Sequence, residues 1–235
     1  ASTLTITDDE TAEVRFSPLS QSHAESGSQT VTVELVLTGG ATMLENAFTV
    51  DVLNAGTGST EAADHDFNAV RPLAFAANSV HGATATTDVA IAADAFVEGD
   101  ETLNLRLQNV NGLDGLVAIA AAGANYTLTI DDNDTASFAI ASPTVTEQGG
   151  AQDVVVTLTT SDGMGGTATL ETALTVDVSD ALTGSAAVTT DYGVFGTQTL
   201  TFAAGSGNNA TRSAEITPVN DALIEGNETV RVVLG

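Results

Sequence analysis

The feature that most constrains this chain is an internal repeat. Asp94-Ala95-Phe96-Val97-Glu98-Gly99-Asp100-Glu101-Thr102-Leu103 returns as Asp221-Ala222-Leu223-Ile224-Glu225-Gly226-Asn227-Glu228-Thr229-Val230, an offset of 127 residues. Phe48-Thr49-Val50-Asp51-Val52 matches Leu174-Thr175-Val176-Asp177-Val178 at 126, Leu73-Ala74-Phe75-Ala76-Ala77 matches Leu200-Thr201-Phe202-Ala203-Ala204 at 127, and Thr11-Ala12 matches Thr135-Ala136 at 124. A period of this length is a whole domain rather than a solenoid unit, so the sequence predicts tandem modules with separate cores. The expected division is residues 11–134 and 135–235, with residues 1–10 outside both.

Within each module the hydrophobic period is two. Val31, Val33, Leu35 and Leu37 alternate with Thr30, Thr32 and Glu34, and Leu103, Leu105 and Leu107 alternate with Thr102, Asn104 and Arg106. That pattern marks strands with one face buried. In the first module strands are expected near 12–17, 29–38, 47–54, 70–76, 84–92, 101–108 and 124–131, with a helical turn as an alternative at the alanines of 118–122. The predicted class is all-β, two tandem seven-stranded immunoglobulin-like sandwiches, although the Cys, Trp, Cys signature of antibody domains is absent.

Composition narrows function by exclusion. The chain has 31 Asp and Glu against 5 Arg and no Lys, a formal charge of −26. Nothing in it can neutralise a nucleic-acid backbone, and an anionic membrane would repel it. No apolar run approaches the length of a membrane-spanning helix, so membrane insertion is not expected. Without Cys there is no disulfide, thiolate metal site or cysteine nucleophile. Stability must come from buried apolar surface or bound ions.

The acids are unevenly placed. If consecutive strands alternate in direction, one end of the first sandwich receives Glu25, Glu61, Asp64, Asp66, Asp94, Glu98, Asp100, Asp131, Asp132 and Asp134, and the other only Glu45 and Asp114. Two carboxylates 4 Å apart repel by roughly 4 kcal/mol at an effective dielectric near 20, so a crowd of them must protonate, splay apart or hold a cation. Oxygen ligands from several pliable loops suit calcium better than magnesium or zinc. Spacing alone leaves two readings open: a cation site, or an acidic surface whose carboxylates point apart.

The order Thr146-Glu147-Gln148-Gly149-Gly150, Asp191-Tyr192, Leu200-Thr201-Phe202 and Asp221 through Thr229 resembles a Calx-beta domain, and the first module repeats it with Glu25, Asp66-Phe67, Leu73-Ala74-Phe75, Asp94 through Thr102 and Asp131-Asp132-Asn133-Asp134. The resemblance implies a sandwich that binds Ca2+ at its tip. It implies Glu25, Asp66, Asp94, Glu98, Asp132 and Asp134 as side-chain ligands, with the Phe96 carbonyl as a backbone ligand. Two departures lower the charge: Ala93-Asp94 and Asn220-Asp221 stand where an acid pair is expected, and Asn133 sits inside the acid triplet.

Leu4-Thr5-Ile6-Thr7-Asp8-Asp9-Glu10 aligns with Leu128-Thr129-Ile130-Asp131-Asp132-Asn133-Asp134, whereas the second module has no such strand after residue 235 in this sequence. Residues 1–10 are expected to be the final strand of a preceding repeat, the missing strand then following in the same chain, or a donor strand. Residues 1–10 of a neighbouring chain would complete the second module, and Asp8, Asp9 and Glu10 would join Glu147, Asp191, Asp221 and Glu225 around a second ion. Partners are then neighbouring repeats of the same or an identical chain, up to a homopolymer.

Other signals are weaker. His23, His65 and His81 lack metal-ligand spacing, Gly163-Met164-Gly165-Gly166 is followed by a strand pattern where a dinucleotide loop needs a helix, and no G-x-S-x-G elbow exists. Four Asn-X-Thr sequons, at Asn125, Asn133, Asn209 and Asn227, accompany a Thr-rich composition. The functional expectation is a non-enzymatic, calcium-stiffened structural repeat of an extracellular or cell-surface protein, where weak calcium sites are occupied. The alternative is an adhesin or carbohydrate-binding module using the opposite loops, and its near lack of aromatic residues disfavours a sugar platform.

Overall fold

A computed structural model describes residues 2–5 and 9–235, apart from the side chain of Asp114. The expectations placed on Ile6, Thr7 and Asp8 lie outside the described residues. The chain forms two compact units: Ala1–Asp94 with Gly99–Asp132, and Ala95–Glu98 with Asn133–Gly235.

In the first half the strands are β1 (Thr11–Phe16), β2 (Ser20–Ala24), β3 (Gly27–Thr38), β4 (Phe48–Asn54), β5 (Arg71–Phe75), β6 (Thr84–Ile91), β7 (Phe96–Val97), β8 (Glu101–Asn111), β9 (Val117–Ile119) and β10 (Asn125–Asp131). All but β7 build the first unit as two sheets, ordered β6-β3-β1-β9 and β2-β10-β8-β4-β5. Alternation drives this arrangement: every second residue of β1, β3 and β8 is apolar, and those residues turn inward and lose their solvent. Val14, Val31, Val33 and Leu35 from one sheet meet Val50, Leu103, Leu105 and Leu128 from the other, all fully buried. Phe16 packs on Tyr126 with ring centroids 5.5 Å apart, and Phe48 stacks on Phe75 at 5.0 Å.

The pattern-based strands recur with boundaries shifted by a few residues, and two further strands join them. β2 runs parallel to β10 from Ser20 opposite Thr127 to Ala24 opposite Asp131. β9 runs parallel to β1. The alanine stretch read as a possible helical turn divides: Val117–Ile119 is strand, and Ala121–Gly123 is a short 3-10 turn.

The second half contains β11 (Thr135–Ile140), β12 (Gln152–Ser161), β13 (Thr169–Leu170), β14 (Leu174–Asp180), β15 (Gln198–Phe202), β16 (Thr211–Ile216) and β17 (Val232–Leu234). They form sheets β11-β12-β16 and β15-β14-β17, and β13 pairs with β7. Val156, Leu158, Leu170, Val178 and Phe202 form its core. β17 pairs with β14 alone, so among the described residues no strand lies along its other edge. The consequence shows in burial: Leu103, Leu105 and Leu107 of β8 are at most 5% exposed, whereas Val230, Val232 and Leu234 at the corresponding places are only half-buried.

A small latch recurs in both units. Thr102 N–H donates to Ser59 Oγ (2.8 Å) and Ser59 N–H to Thr102 Oγ1 (3.3 Å); Thr229 N–H donates to Ser185 Oγ (2.9 Å) and Ser185 N–H to Thr229 Oγ1 (3.3 Å). The preceding Gly58 and Gly184 lie so close to the Thr102 and Thr229 carbonyls that a Cβ would sit 1.9 and 2.0 Å from those oxygens. The latch fixes the chain one residue after Glu101 and Glu228.

Candidate metal centre

Alternating strand direction brings the connection after β2, the exit of β6 and the exit of β10 to one end of the first unit. Backbone bonds hold them there: Glu25 N–H donates to the Asp131 carbonyl (3.1 Å), and Asp94 N–H donates to Glu25 Oε1 (2.7 Å). Glu25 is buried, an uncommon place for a carboxylate unless something compensates its charge. Glu25 and Asp132, both of the first unit, each offer a carboxylate oxygen, and these lie within 4.8 Å of one another; Asp134, in the second unit, is buried. Asp100 accepts the Asp132 N–H at 3.2 Å and so steadies the start of that acid run.

Asp66, which the resemblance placed among the ligands, is not in this group. Its Oδ1 forms an ion pair with Arg71 at 3.0 Å and accepts the Ala90 N–H at 2.9 Å. Partial burial works against its ionisation, but the Ala90 N–H and the Arg71 guanidinium outweigh that and hold its carboxyl below the usual value. Beside it, His65 is buried; its Nδ1 accepts the Phe67 N–H at 3.0 Å and its Nε2 has no hydrogen-bond partner. Burial lowers its pKa despite the nearby charges of Asp64 and Asp66. Phe96 is paired in register with Thr169, and Ala95–Glu98 runs with the second unit; the carboxylates of Asp94 and Glu98 are not in the convergent group. Asp9 is exposed and Glu10 half-buried.

The second unit gathers a different subset of the repeated acids. Asp191, Glu225 and Glu228 bring carboxylate oxygens within 4.8 Å of one another. Asp191 corresponds to Asp66, but Gln198 stands where the first repeat has Arg71, and its amide bonds to the Glu215 backbone instead. With no guanidinium to draw it away, Asp191 faces the glutamates. Lost hydration and the negative charges of Asp221, Asp191 and Glu147 push the Glu225 carboxyl above its ordinary value. A hydrogen bond with Asp191, lost hydration and the negative charges of Asp191, Glu225 and Glu147 push Glu228 up as well. Glu147 and Asp221 therefore act on this group electrostatically without entering its tightest contacts. Glu228 is the member that the sequence reading passed over; its counterpart Glu101 stands in the same repeated step. Tyr192 is pushed to about 12 by burial and by its hydrogen bond to Asp180, so it remains neutral beside the site.

All the convergent donors are carboxylate oxygens, the hard ligands that calcium and magnesium take, with neither imidazole nor sulfur among them. These clusters can bind a metal.

No known protein family matches the sequence, and no curated protein matches it. Among solved structures the chain is similar to CBD12 from CALX1.2, with 18% identity and a TM-score of 0.44 over 95% of this chain and 80% of that one. It is similar to the apo-form Calx CBD1 domain, with 18% identity and a TM-score of 0.42 over 52% of this chain and 99% of that one. A third likeness is to the calcium binding domain CBD12 of CALX1.1, with 19% identity and a TM-score of 0.40 over 86% of this chain and 74% of that one. No helix among the described residues is long and apolar enough to cross a membrane.

Proposed function

We propose that this chain is a non-enzymatic, calcium-binding structural repeat of an extracellular or cell-surface protein. The observation that carries the reading is the convergence of Asp191, Glu225 and Glu228 within 4.8 Å, which a divalent cation would turn from mutual repulsion into a stabilising set of contacts. The carboxylates of Glu25 and Asp132 add support, because the first unit brings acids of its own connections together in the same manner. Calcium fits better than magnesium because the donors come from separate irregular connections and are not constrained to an octahedron.

Calorimetric titration of the chelator-stripped chain tests this. Calcium should release or absorb heat and raise the melting temperature, by a stability gain of about 2.7 kcal/mol at a hundred times its Kd. Magnesium should act more weakly. Asp191→Asn with Glu225→Gln should remove the response of the second unit and leave that of the first. Melting profiles that coincide in chelator and in millimolar calcium would overturn the reading.

A further inference from the structure

A short backbone edge that is paired in the second unit stands open in the first. In the second unit β7 lies parallel to β13, with Phe96 opposite Thr169 and Val97 opposite Leu170. Thr169 N–H donates to the Ala95 carbonyl (2.8 Å), Glu171 N–H donates to the Val97 carbonyl (3.3 Å), and Val97 packs against the core. Met43-Leu44-Glu45 holds the corresponding place in the first unit, at the repeat offset of 126. Its other edge is bonded in the same way. Leu44 N–H donates to the Ser79 carbonyl and the Leu44 carbonyl accepts the Asn78 N–H (2.9 and 2.8 Å), as Leu170 does with Ser206 and Gly205 (2.9 and 2.7 Å). The Met43 and Glu45 amides match the donors Thr169 and Glu171, yet they have no backbone acceptor among the described residues. Beside them opens a cavity of about 320 Å3 lined by Leu37, Leu44, Leu113, Leu116 and Val117. Met43 is 52% and Leu116 40% exposed, so the mouth of this cavity presents apolar surface to water.

The chain carries a second segment of the kind that fills this edge. Asp94-Ala95-Phe96-Val97-Glu98 returns as Asp221-Ala222-Leu223-Ile224-Glu225. Residues 222–225 form no strand, Leu223 is 64% and Ile224 fully exposed, and the Ala222 and Ile224 carbonyls accept no backbone bond among the described residues. We propose that residues 222–225 of a second copy dock on the Met43–Glu45 edge, parallel to it, in the register that β7 takes on β13. Leu223 then stands opposite Met43 and Ile224 opposite Leu44. Met43 N–H donates to the Ala222 carbonyl and Glu45 N–H to the Ile224 carbonyl. Ile224 enters the cavity, as Val97 packs on the core of the second unit. Donors, acceptors and apolar side chains of the two surfaces match at one spacing, which is how a short strand recognises an edge.

Charge opposes the contact. Glu45 lies on the receiving edge, Asp221 and Glu225 flank the arriving side chains, and the whole chain carries −26. The paired edge of the second unit has the same acids: Glu171, the counterpart of Glu45, donates its N–H to the residue preceding Glu98. Salt therefore strengthens the association by screening. A contact only a few residues wide is weak, and it forms at high concentration. It joins the second unit of one copy to the first unit of the next, so it is heterologous and extends as an open chain of molecules. The pairing needs no bound cation and does not rest on the proposed function.

Amide NMR on the full chain with a synthetic peptide of residues 219–227 tests the site. The Met43 and Glu45 amides should shift and their hydrogen exchange should slow by about tenfold, while Leu44, bonded to Ser79, changes little. The same peptide carrying Ile224→Ser should leave all three unchanged. Without peptide, raising the chain concentration in salt should slow the same two amides and raise the sedimenting mass, and excess peptide should return the mass to that of the monomer. Ile224→Ser in the chain, at a fully exposed position, should keep it monomeric while its own Met43 and Glu45 amides still answer the peptide. Amides that ignore the peptide overturn the site. Amides already protected in the dilute chain overturn it as well, because the chain itself then covers the edge. Peptide binding with no growth in mass at any concentration overturns the second copy as occupant, and so does unchanged growth of Ile224→Ser.

Discussion

Gly58 and Gly184 occupy corresponding places in the two repeats, and neither position has room for a side chain. A methyl at Gly184 would meet the Thr229 carbonyl at 2.0 Å, and that atom is backbone held by the Ser185 latch, so it cannot turn aside. Gly184→Ala should destabilise the second unit by roughly 1–3 kcal/mol, the range for overpacking, and weaken its cation binding by displacing Glu228 beside Thr229. Gly226→Ala, where a Cβ meets nothing within 4 Å, is the control and should change neither. Chemical denaturation with calcium titration on both variants checks this, and equal effects from the two would contradict it. The latch was legible in the sequence, since Thr57-Gly58-Ser59 returns as Thr183-Gly184-Ser185 at an offset of 126, yet strand periodicity drew attention elsewhere. The diversion of Asp66 was not legible from acid spacing. It depends on Arg71 reaching across from β5, and only the exchange of Arg71 for Gln198 between repeats hints at it.

Strands were readable wherever one face is buried and one wet, because burial imposes the period of two that the sequence then carries. β3 and β8 announce themselves this way. β2 does not: Ser20-Gln21-Ser22-His23-Ala24 has no apolar alternation, and what makes it a strand is backbone pairing with β10, a tertiary fact. β7 was not among the pattern-based strands either; Phe96 and Val97 pair with Thr169 and Leu170. The same logic fixes how strands should respond to mutation. Leu105, fully buried in the middle of a five-stranded sheet, should cost about 2–5 kcal/mol when cut to alanine, since the neighbours on both sides cannot collapse into the cavity. Val232, its half-buried counterpart on an open edge, should cost roughly 1 kcal/mol or less, because much of its surface already meets water. Comparable losses from Leu105→Ala and Val232→Ala, measured by urea unfolding, would mean that Val232 is covered in solution as fully as Leu105.

At the scale of the whole chain the two repeats share a plan but should answer pH in opposite directions. Each has its own hydrophobic core, so unfolding in two steps is expected. In the first unit His65 has its pKa lowered from 6.5 by burial; the unfolded chain binds the proton more readily, and stability is lost as pH falls below that value. Asp66, lowered from 3.8, extends the loss further into acid. In the second unit Glu225 and Glu228 are raised from 4.5. The stabilising effect of their protonation is present below 4.5 and disappears as pH rises through their folded values, where the ionised cluster repels itself. The net charge of −26 disfavours both folded units as pH rises, so the informative quantity is the gap between the two transitions rather than either temperature alone. In chelator the gap should widen between about pH 5 and about pH 7.5, the first unit gaining on the second. Calcium at the higher pH should narrow it again by lifting the second unit, and Asp191→Asn with Glu225→Gln should narrow it without calcium, since removing two of the like charges does the cation's work. Scanning calorimetry of the parent chain and that double variant decides the matter. A gap that stays constant with pH in chelator would show that these carboxylates lie too far apart in solution to feel one another, and the site would lose its physical basis.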